Sequence, residues 1–268
     1  MSVENNSAKN QALERIDKLK VALGEDYVQN QLKSALAENS GAFISSVIDL
    51  YTSEKSLMEC DPKQVIMQVM KAAVLKLPIN KSLGFAWIVA YKAVPQFQIG
   101  YKGLIQLALR TSQYRYINAA PVYEGEYRSS NKLTGEFDLT GVQKSETVIG
   151  YFAYIELLNG FSKTLYMTKE KVTAHAAKYS KSYSQSFSPW KTEFDAMAIK
   201  TVLRNLLTHY GYLSVEMANA IETDNNEDAA DKVMSEIRGN ANKNDMGFSE
   251  AEVVPETNNT NVTAGAPF

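Results

Sequence analysis

The residues best suited to bind a charged ligand lie between positions 163 and 204, where eight basic side chains are set against only three acidic ones. Lys171, His175 and Lys178 are spaced i, i+4 and i+7, as on one face of a helix, and Lys200 and Arg204 are spaced i, i+4. Aromatic side chains are interleaved with these cations: Tyr166, Tyr179, Tyr183, Phe187 and Trp190. Because cations bind phosphates and ring faces stack on bases, the segment predicts a site for single-stranded nucleic acid.

A second candidate is GYKGL at 100–104, where an alternating strand pattern ends. If Gly100 and Gly103 let the chain turn sharply into a helix, its first free N–H groups would point outward beside Lys102 and seat a phosphate. The alternative is that the glycines only permit a compact turn. The other candidate residues also have structural alternatives to a role in binding. A lysine on an amphipathic helix often lies on the solvated side only to contact water, and Tyr101 and Trp190 could belong to the core.

The sequence offers little for enzymatic chemistry. The nearest match to a phosphate-binding loop, NGFSKT at 159–164, lacks the required glycines and is typical of a hairpin turn. The two histidines and the single cysteine, Cys60, form no zinc pattern. Glu193 and Asp195 are two residues apart, so on a helix they point in different directions. A Mg²⁺-dependent nuclease using Glu193, Asp195 or His175 remains the enzymatic alternative.

The elements that must position these residues follow from periodicity and capping signals. Helices are predicted over 8–53 as several short pieces, 62–76, 103–111, 168–179 and 189–210, the last being long and amphipathic. Strands are predicted over 85–91 and 97–101, as a hairpin turning at Pro95, and over 114–124, 147–157 and 161–167. Asn159-Gly160 predicts the turn between the last two.

Composition indicates a globular protein with an acidic C-terminal segment. With 268 residues, 45% of them hydrophobic, the chain can bury a full core, and no apolar run approaches a membrane span. A soluble, cytoplasmic protein is therefore expected. The net charge of −2 hides an asymmetry, because residues 221–268 hold ten acidic and three basic side chains, which leaves the preceding part positive. This acidic tail is poor in apolar residues and predicted to be disordered.

Three motifs together resemble the RecT/Redβ family of phage single-strand annealing proteins, most closely RecT proteins of phages or prophages of Gram-positive bacteria. They are SLGFAWIVAYK, QFQIGYKGLIQLALRTSQY and SPWKTEFDAMAIKTVLRNL, and the likeness extends over about residues 30–215. The resemblance implies ATP-independent binding of single-stranded DNA, annealing of complementary strands, and homo-oligomeric rings or filaments. It also implies an α+β fold in which a short twisted antiparallel β-sheet packs on a long helix, behind N-terminal helices, with DNA in a positive groove.

Carried over by position, the resemblance maps Lys102 and its glycines to the DNA groove and Lys200 to a lysine tied to DNA binding in Redβ. The full set of expected DNA-binding residues is Lys92, Tyr101, Lys102, Gly103, Arg110, Arg115, Lys171, Lys178, Phe187, Trp190, Lys191, Lys200 and Arg204. No catalytic or metal-binding residue is expected. No cofactor should be required, Mg²⁺ being at most an aid to DNA binding.

The expected organisation has three parts. Residues 1–35 form a helical segment that could contact other subunits, 36–220 the annealing core, and 221–268 the acidic tail. The expected partners are single-stranded DNA, the annealed duplex and further copies of the chain, with no membrane. Through the tail, the resemblance adds a host single-strand binding protein and a phage exonuclease. An RNA-binding or purely structural phage protein is the non-enzymatic alternative.

Overall fold

The computed structural model describes residues 2–180, 182–186 and 188–222, which all belong to one compact unit spanning residues 1–229. The predicted DNA contact Phe187 and nearly all of the predicted acidic tail therefore lie outside the described residues. Among the described residues, no helix has both the length and the apolar character needed to cross a membrane.

The N-terminal part is helical, as predicted. It consists of α1 (Ser2–Leu23), α2 (Asp26–Leu36), a 3₁₀ turn (Ala37–Asn39), α3 (Ser40–Ser53), α4 (Lys55–Met58) and α5 (Pro62–Val74). The helix predicted over 62–76 begins at Pro62 as expected, and the Asp61 carboxylate caps it by accepting a hydrogen bond from the Lys63 N–H at 2.7 Å. The predicted boundary at residues 35/36 falls in the last turn of α2.

The core of this part contains Leu19, Leu32, Val47, Tyr51 and Val69. Leu13, Ile16, Leu19 and Leu23 are spaced three or four residues apart, as on one apolar face of α1, but Leu13 is 53% exposed. Within residues 10–23 of α1, the buried side chains are Leu19, Ala22 and Leu23, which all lie in the last turns of the helix.

A hairpin and a helix follow: β1 (Ala86–Tyr91), β2 (Val94–Ile99) and α6 (Tyr101–Arg110). The hairpin is confirmed, but the predicted turn at Pro95 is wrong. The turn is Lys92–Ala93, whose φ angles of 50° and 61° match the twist of a two-residue hairpin loop, and Pro95 pairs with Ala90 inside β2. A two-stranded ribbon has only edge strands, which tolerate proline. The helix was predicted to begin at Gly103, but it begins two residues earlier, at Tyr101.

The second half of the described chain builds the predicted meander. An antiparallel sheet of order β3-β6-β7 is formed by β3 (Tyr114–Tyr123), β6 (Val148–Leu157) and β7 (Ser162–Thr168). The Asn159-Gly160 turn is confirmed, because β6 and β7 pair across it with Gly160 at a φ of 87°. A small ribbon, β4 (Ser129–Asn131) and β5 (Glu136–Asp138), lies between β3 and β6 in sequence and contacts β7.

Three helices complete the unit: α7 (Lys169–Tyr179), α8 (Pro189–Thr192) and α9 (Phe194–Tyr210), followed by a helical stretch at 215–222. The helix predicted over 189–210 is thus divided at Glu193, whose φ of −136° leaves the helical region. One face of the sheet packs on α9 through the buried residues Tyr151, Ala153 and Ile155. The α+β fold with a short antiparallel sheet on a long helix is confirmed.

Candidate nucleic-acid interface

The GYKGL turn is shaped by packing. Gly100 precedes α6 in an extended conformation and donates its N–H to the Phe85 carbonyl at 2.9 Å. A Cβ on Gly100 would overlap the Gly84 carbonyl and the Trp87 ring, and a Cβ on Gly103 would overlap the Phe85 carbonyl. Both glycines are therefore needed for the close approach of α6 to the start of β1. This accounts for them without a phosphate, as the compact-turn alternative supposed.

Lys102 nevertheless lies at the surface in the first turn of α6. Its side-chain carbons Cδ and Cε pass 3.6 Å and 4.0 Å from the position that a Cβ on Gly84 would take. The aliphatic part of the Lys102 side chain thus packs over the turn at Gly84, while the residue as a whole is exposed to solvent. Its neighbour Tyr101 is half-buried and packs against the core, so its ring is only partly available to a base.

The basic residues of α7 lie on its solvent side. Thr168 caps this helix by accepting the Lys171 N–H at 3.3 Å, and Val172 and Ala176 bury the opposite face. Lys178 places its Nζ 5.2 Å from the centre of the Tyr179 ring, and the His175 ring lies 4.6 Å from the same ring. A cation and an aromatic face are therefore presented side by side.

A second cation–ring pair follows in the chain segment after α7. Ser188 caps α8 by accepting the Trp190 N–H at 3.3 Å, and its hydroxyl lies 3.3 Å from that of Ser182. This arrangement sets Tyr183 beside α8, where the Lys191 Nζ lies 4.8 Å from the ring centre. We call the exposed cations and the rings beside them the basic aromatic surface: Lys171, Lys178, Tyr179, Tyr183 and Lys191.

Trp190, by contrast, belongs to the core. It is only 5% exposed, its ring meets Tyr183 edge-on at 6.3 Å and Phe194 at 5.6 Å, and Phe194 in turn lies 6.1 Å from Tyr151. An indole held between these rings cannot stack on a base without leaving its site. The structure therefore favours the core alternative that the sequence left open for Trp190.

Lys200 and Arg204 are half-buried on α9. Asp195 and Asn205 of the same helix contact the sheet at Tyr151 and Met167. Because an α-helix turns by about 100° per residue, Lys200 and Arg204 lie on the side of α9 that faces away from these sheet contacts. The Arg204 Nη2 is 3.4 Å from the Ile221 carbonyl, which ties this guanidinium to the helical stretch 215–222. Because α6 also packs on α9, these two bases and Lys102 lie on adjoining elements.

The other predicted contacts are separate. Arg110 donates to the carbonyls of Leu75 and Lys76 at 2.5 Å and 3.0 Å, so its guanidinium closes the C-terminal end of α5. Lys92 is at the hairpin tip, roughly 20 Å from Gly100 for strands of six residues. Arg115, on β3, forms an ion pair with Glu156 at 3.1 Å. The twelve predicted residues that the structure describes thus do not form one cluster.

The carboxylates proposed for a nuclease are not assembled as a metal site. The Tyr151 hydroxyl donates to the Asp195 carboxylate at 2.5 Å, and burial, followed by this hydrogen bond, raises the pKa of Tyr151. Asp195 thereby anchors the start of α9 to β6. Within residues 2–180, 182–186 and 188–222, no three histidine, cysteine, aspartate or glutamate side chains are close enough to share a metal ion.

Sequence reasoning missed rings whose partners come from tertiary structure. Tyr179 and Tyr183 appeared among the interleaved aromatics but not among the predicted DNA contacts. Tyr116, Phe152 and Tyr154 were assigned only to strands. Alternation in YFAYIE does place Phe152 and Tyr154 on the face opposite Tyr151. It would place Tyr116 on the same face as Tyr114, and only the register shift between these two residues separates the exposed ring from the buried one.

Comparison with known proteins identifies a family. The RecT family model matches residues 41–237. The uncharacterised protein YqaK of Bacillus subtilis (strain 168) is 42% identical over 273 aligned positions, which cover the whole of this chain and 93% of the relative. Protein RecT of Escherichia coli (strain K12) is 26% identical over 224 positions, covering 76% of this chain and 79% of the relative.

Proposed function

Because this chain belongs to the RecT family, we propose that it binds single-stranded DNA and anneals complementary strands without ATP in phage recombination. The basic aromatic surface is the observation that supports this proposal. It combines exposed lysines, which can neutralise phosphates, with rings on which bases can stack, and it requires no catalytic group.

Charge and geometry divide the work among these residues. Lys171, Lys178 and Lys191 are exposed, so each can contact a phosphate without losing a structural role. Tyr179 and Tyr183 carry a lysine ammonium 5.2 Å and 4.8 Å from their ring centres. A DNA strand whose phosphates contact the lysines would therefore bring its bases next to these rings. Neither phosphate contacts nor stacking on a ring depends strongly on the base sequence. Lack of preference is what annealing of arbitrary strands demands.

The proposal extends to assembly and partners. The protein acts as a homo-oligomeric ring or filament in the host cytoplasm, with Mg²⁺ as no more than an aid to DNA binding. Residues 36–220 carry DNA binding and annealing, and residues 1–35 contribute to contacts between subunits. The acidic stretch 221–268 recruits a host single-strand binding protein and a phage exonuclease, since its charge disfavours contact with DNA.

Annealing of two complementary labelled oligonucleotides, followed by energy transfer without any nucleotide, tests the proposal. The protein should accelerate annealing and leave each strand at full length after incubation with Mg²⁺. The double variant Lys178→Ala, Lys191→Ala should bind single-stranded DNA more weakly. In a plot of log affinity against log salt concentration, its slope should be shallower by about 0.7 for each phosphate contact that is lost. Lys33→Ala, an exposed lysine on α2, is the matched control.

Three results would contradict the proposal: no binding of single-stranded DNA by the wild-type protein, strand cleavage in Mg²⁺, or annealing only when ATP is present. RNA oligonucleotides of the same sequence provide a further arm. Preference for RNA over DNA would favour the RNA-binding alternative. An unchanged affinity of the double lysine variant would place the DNA site on another surface.

A further inference from the structure

The sheet has a second face that the described helices leave uncovered. Tyr151, Ala153 and Ile155 of β6 face α9, so the alternating residues between them point to the other side, together with their partners on β3 and β7. We call this side the outer sheet face and define it by Tyr116, Asn118, Tyr154, Ser162 and Thr164. It ends at the next row, where Tyr166 is covered by Tyr127 and Phe137 with ring centres 5.4 Å and 5.6 Å away. Tyr116 is 56% exposed, Asn118 and Ser162 are exposed, and Tyr154 is half-buried.

The outer sheet face presents its rings in rows. Tyr116, Glu156 and Ser162 are paired across the three strands, and Asn118, Tyr154 and Thr164 form the next row. In the first row Glu156 lies between Tyr116 and Ser162, and in the second row Tyr154 lies between Asn118 and Thr164. Successive rows are about 6.8 Å apart, roughly twice the 3.4 Å rise per nucleotide of a B-form strand. Bases meeting successive rows would thus be unstacked from each other.

Both tyrosines are held in place. The Arg115 carbon Cζ lies 5.5 Å from the centre of the Tyr116 ring, and an Arg115 nitrogen lies 3.1 Å from a Glu156 oxygen. The other Glu156 oxygen accepts the Tyr154 hydroxyl at 2.9 Å. The one carboxylate of the two rows is therefore compensated by Arg115, whose side chain remains 61% exposed at the edge of the rings.

We propose that the outer sheet face is a second contact surface for single-stranded DNA, on which Tyr116 and Tyr154 stack on bases. The inference rests on the proposed function because it takes the same ligand. Rings alternating with asparagine, serine and threonine suit bases, whose faces are apolar and whose edges form hydrogen bonds. They suit a protein partner less well, because the centre of such an interface is depleted of charged and small polar groups.

The test compares two probes on the full-length protein: an oligo-dT strand, and an abasic oligonucleotide with the same number of phosphates. Tyr116→Ala should weaken binding of oligo-dT about 5- to 150-fold, the range for loss of one stacked base, and leave abasic binding unchanged. Tyr116→Phe, which keeps the ring, should bind like wild type. Tyr27→Ala is the matched control, because Tyr27 is 73% exposed on α2, away from the sheet.

The outcomes separate this inference from the proposed function. If Tyr116→Ala binds oligo-dT normally while the double lysine variant binds weakly, the outer sheet face is not a DNA contact and the proposed function stands. Equal weakening with both probes would show that the ring does not stack, which also refutes the inference. A changed oligomer mass for Tyr116→Ala in light scattering would assign the face to contacts between copies. Failure of the wild-type protein to bind either probe would refute the proposed function itself.

Discussion

Trp190 and Lys191 are adjacent in sequence but should respond to substitution in opposite ways. Trp190 is 5% exposed and packs between Tyr183 and Phe194, whereas Lys191 is exposed with its Nζ 4.8 Å from the Tyr183 ring centre. Loss of the indole should therefore act on stability, and loss of the ammonium on DNA binding. The pair provides an internal control, since both residues lie in the single turn of α8.

The expected size follows from burial. Replacing a buried tryptophan by alanine removes its transfer free energy and leaves a cavity, at a cost of about 3–5 kcal/mol in the free energy of unfolding. For a unit of this size each kcal/mol lowers Tm by about 2–4 °C, so Trp190→Ala should lower Tm by roughly 6–20 °C. Trp190→Phe keeps part of the packing and should lower Tm less. Lys191→Ala should leave Tm within about 2 °C, because substitutions at exposed positions usually change the free energy of unfolding by no more than about 0.5 kcal/mol.

The effect on DNA binding is measured by fluorescence anisotropy with labelled oligo-dT at several salt concentrations. The temperature is kept below the lowest Tm of the variants. Lys191→Ala should weaken binding and reduce the log–log salt slope by about 0.7, the contribution of one phosphate contact on a single strand. Trp190→Phe should keep the wild-type slope. A Trp190→Ala protein that melts like wild type but binds DNA poorly would show that the indole meets DNA, and would refute the core assignment.

Three further predictions concern stability. Gly103→Ala should lower Tm whether or not DNA is present, because its Cβ would overlap the Phe85 carbonyl; an unchanged Tm would mean that α6 can shift without cost. Burial raises the pKa of Tyr114 to about 12, so its neutral form favours the folded state. The free energy of unfolding in urea should therefore fall as pH rises from about 10 to about 12, and Tyr114→Phe should make that fall smaller; an identical pH profile would contradict this. Arg110→Ala should destabilise the protein by about 1–3 kcal/mol through the two carbonyls it leaves at the end of α5, with oligo-dT affinity unchanged; weaker binding at unchanged stability would return Arg110 to the DNA site.

Much of the fold could be predicted because its signals are local. The caps at Asp61, Thr168 and Ser188 each bond to a backbone N–H two or three residues away, and all three helix starts were predicted. The Asn159-Gly160 turn and the alternation in β3, β6 and β7 are equally short-range. The prediction at Pro95 failed because proline indicates either a turn or an edge strand, and the choice depends on whether a third strand is added.

The candidate site could be predicted only by residue type. The sequence shows that the cations are concentrated in residues 163–204 and spaced as on helix faces, and its three motifs indicate the family. The sequence could not say which cations are already used, since Arg110 bonds to carbonyls up to 35 residues away and Arg115 to a glutamate 41 residues away. Those pairings arise when separate elements pack together.

Sequence by itself therefore determined the kinds of element, their order and the family, because capping, periodicity and motif identity depend on neighbours within a few positions. Tertiary structure alone decided whether a ring is core or surface. Trp190 and Tyr116 are both aromatic residues in amphipathic elements, yet one is enclosed by Tyr183 and Phe194 while the other lies on an uncovered sheet face. The physical reason is that burial depends on what packs against an element, and those partners come from distant parts of the chain.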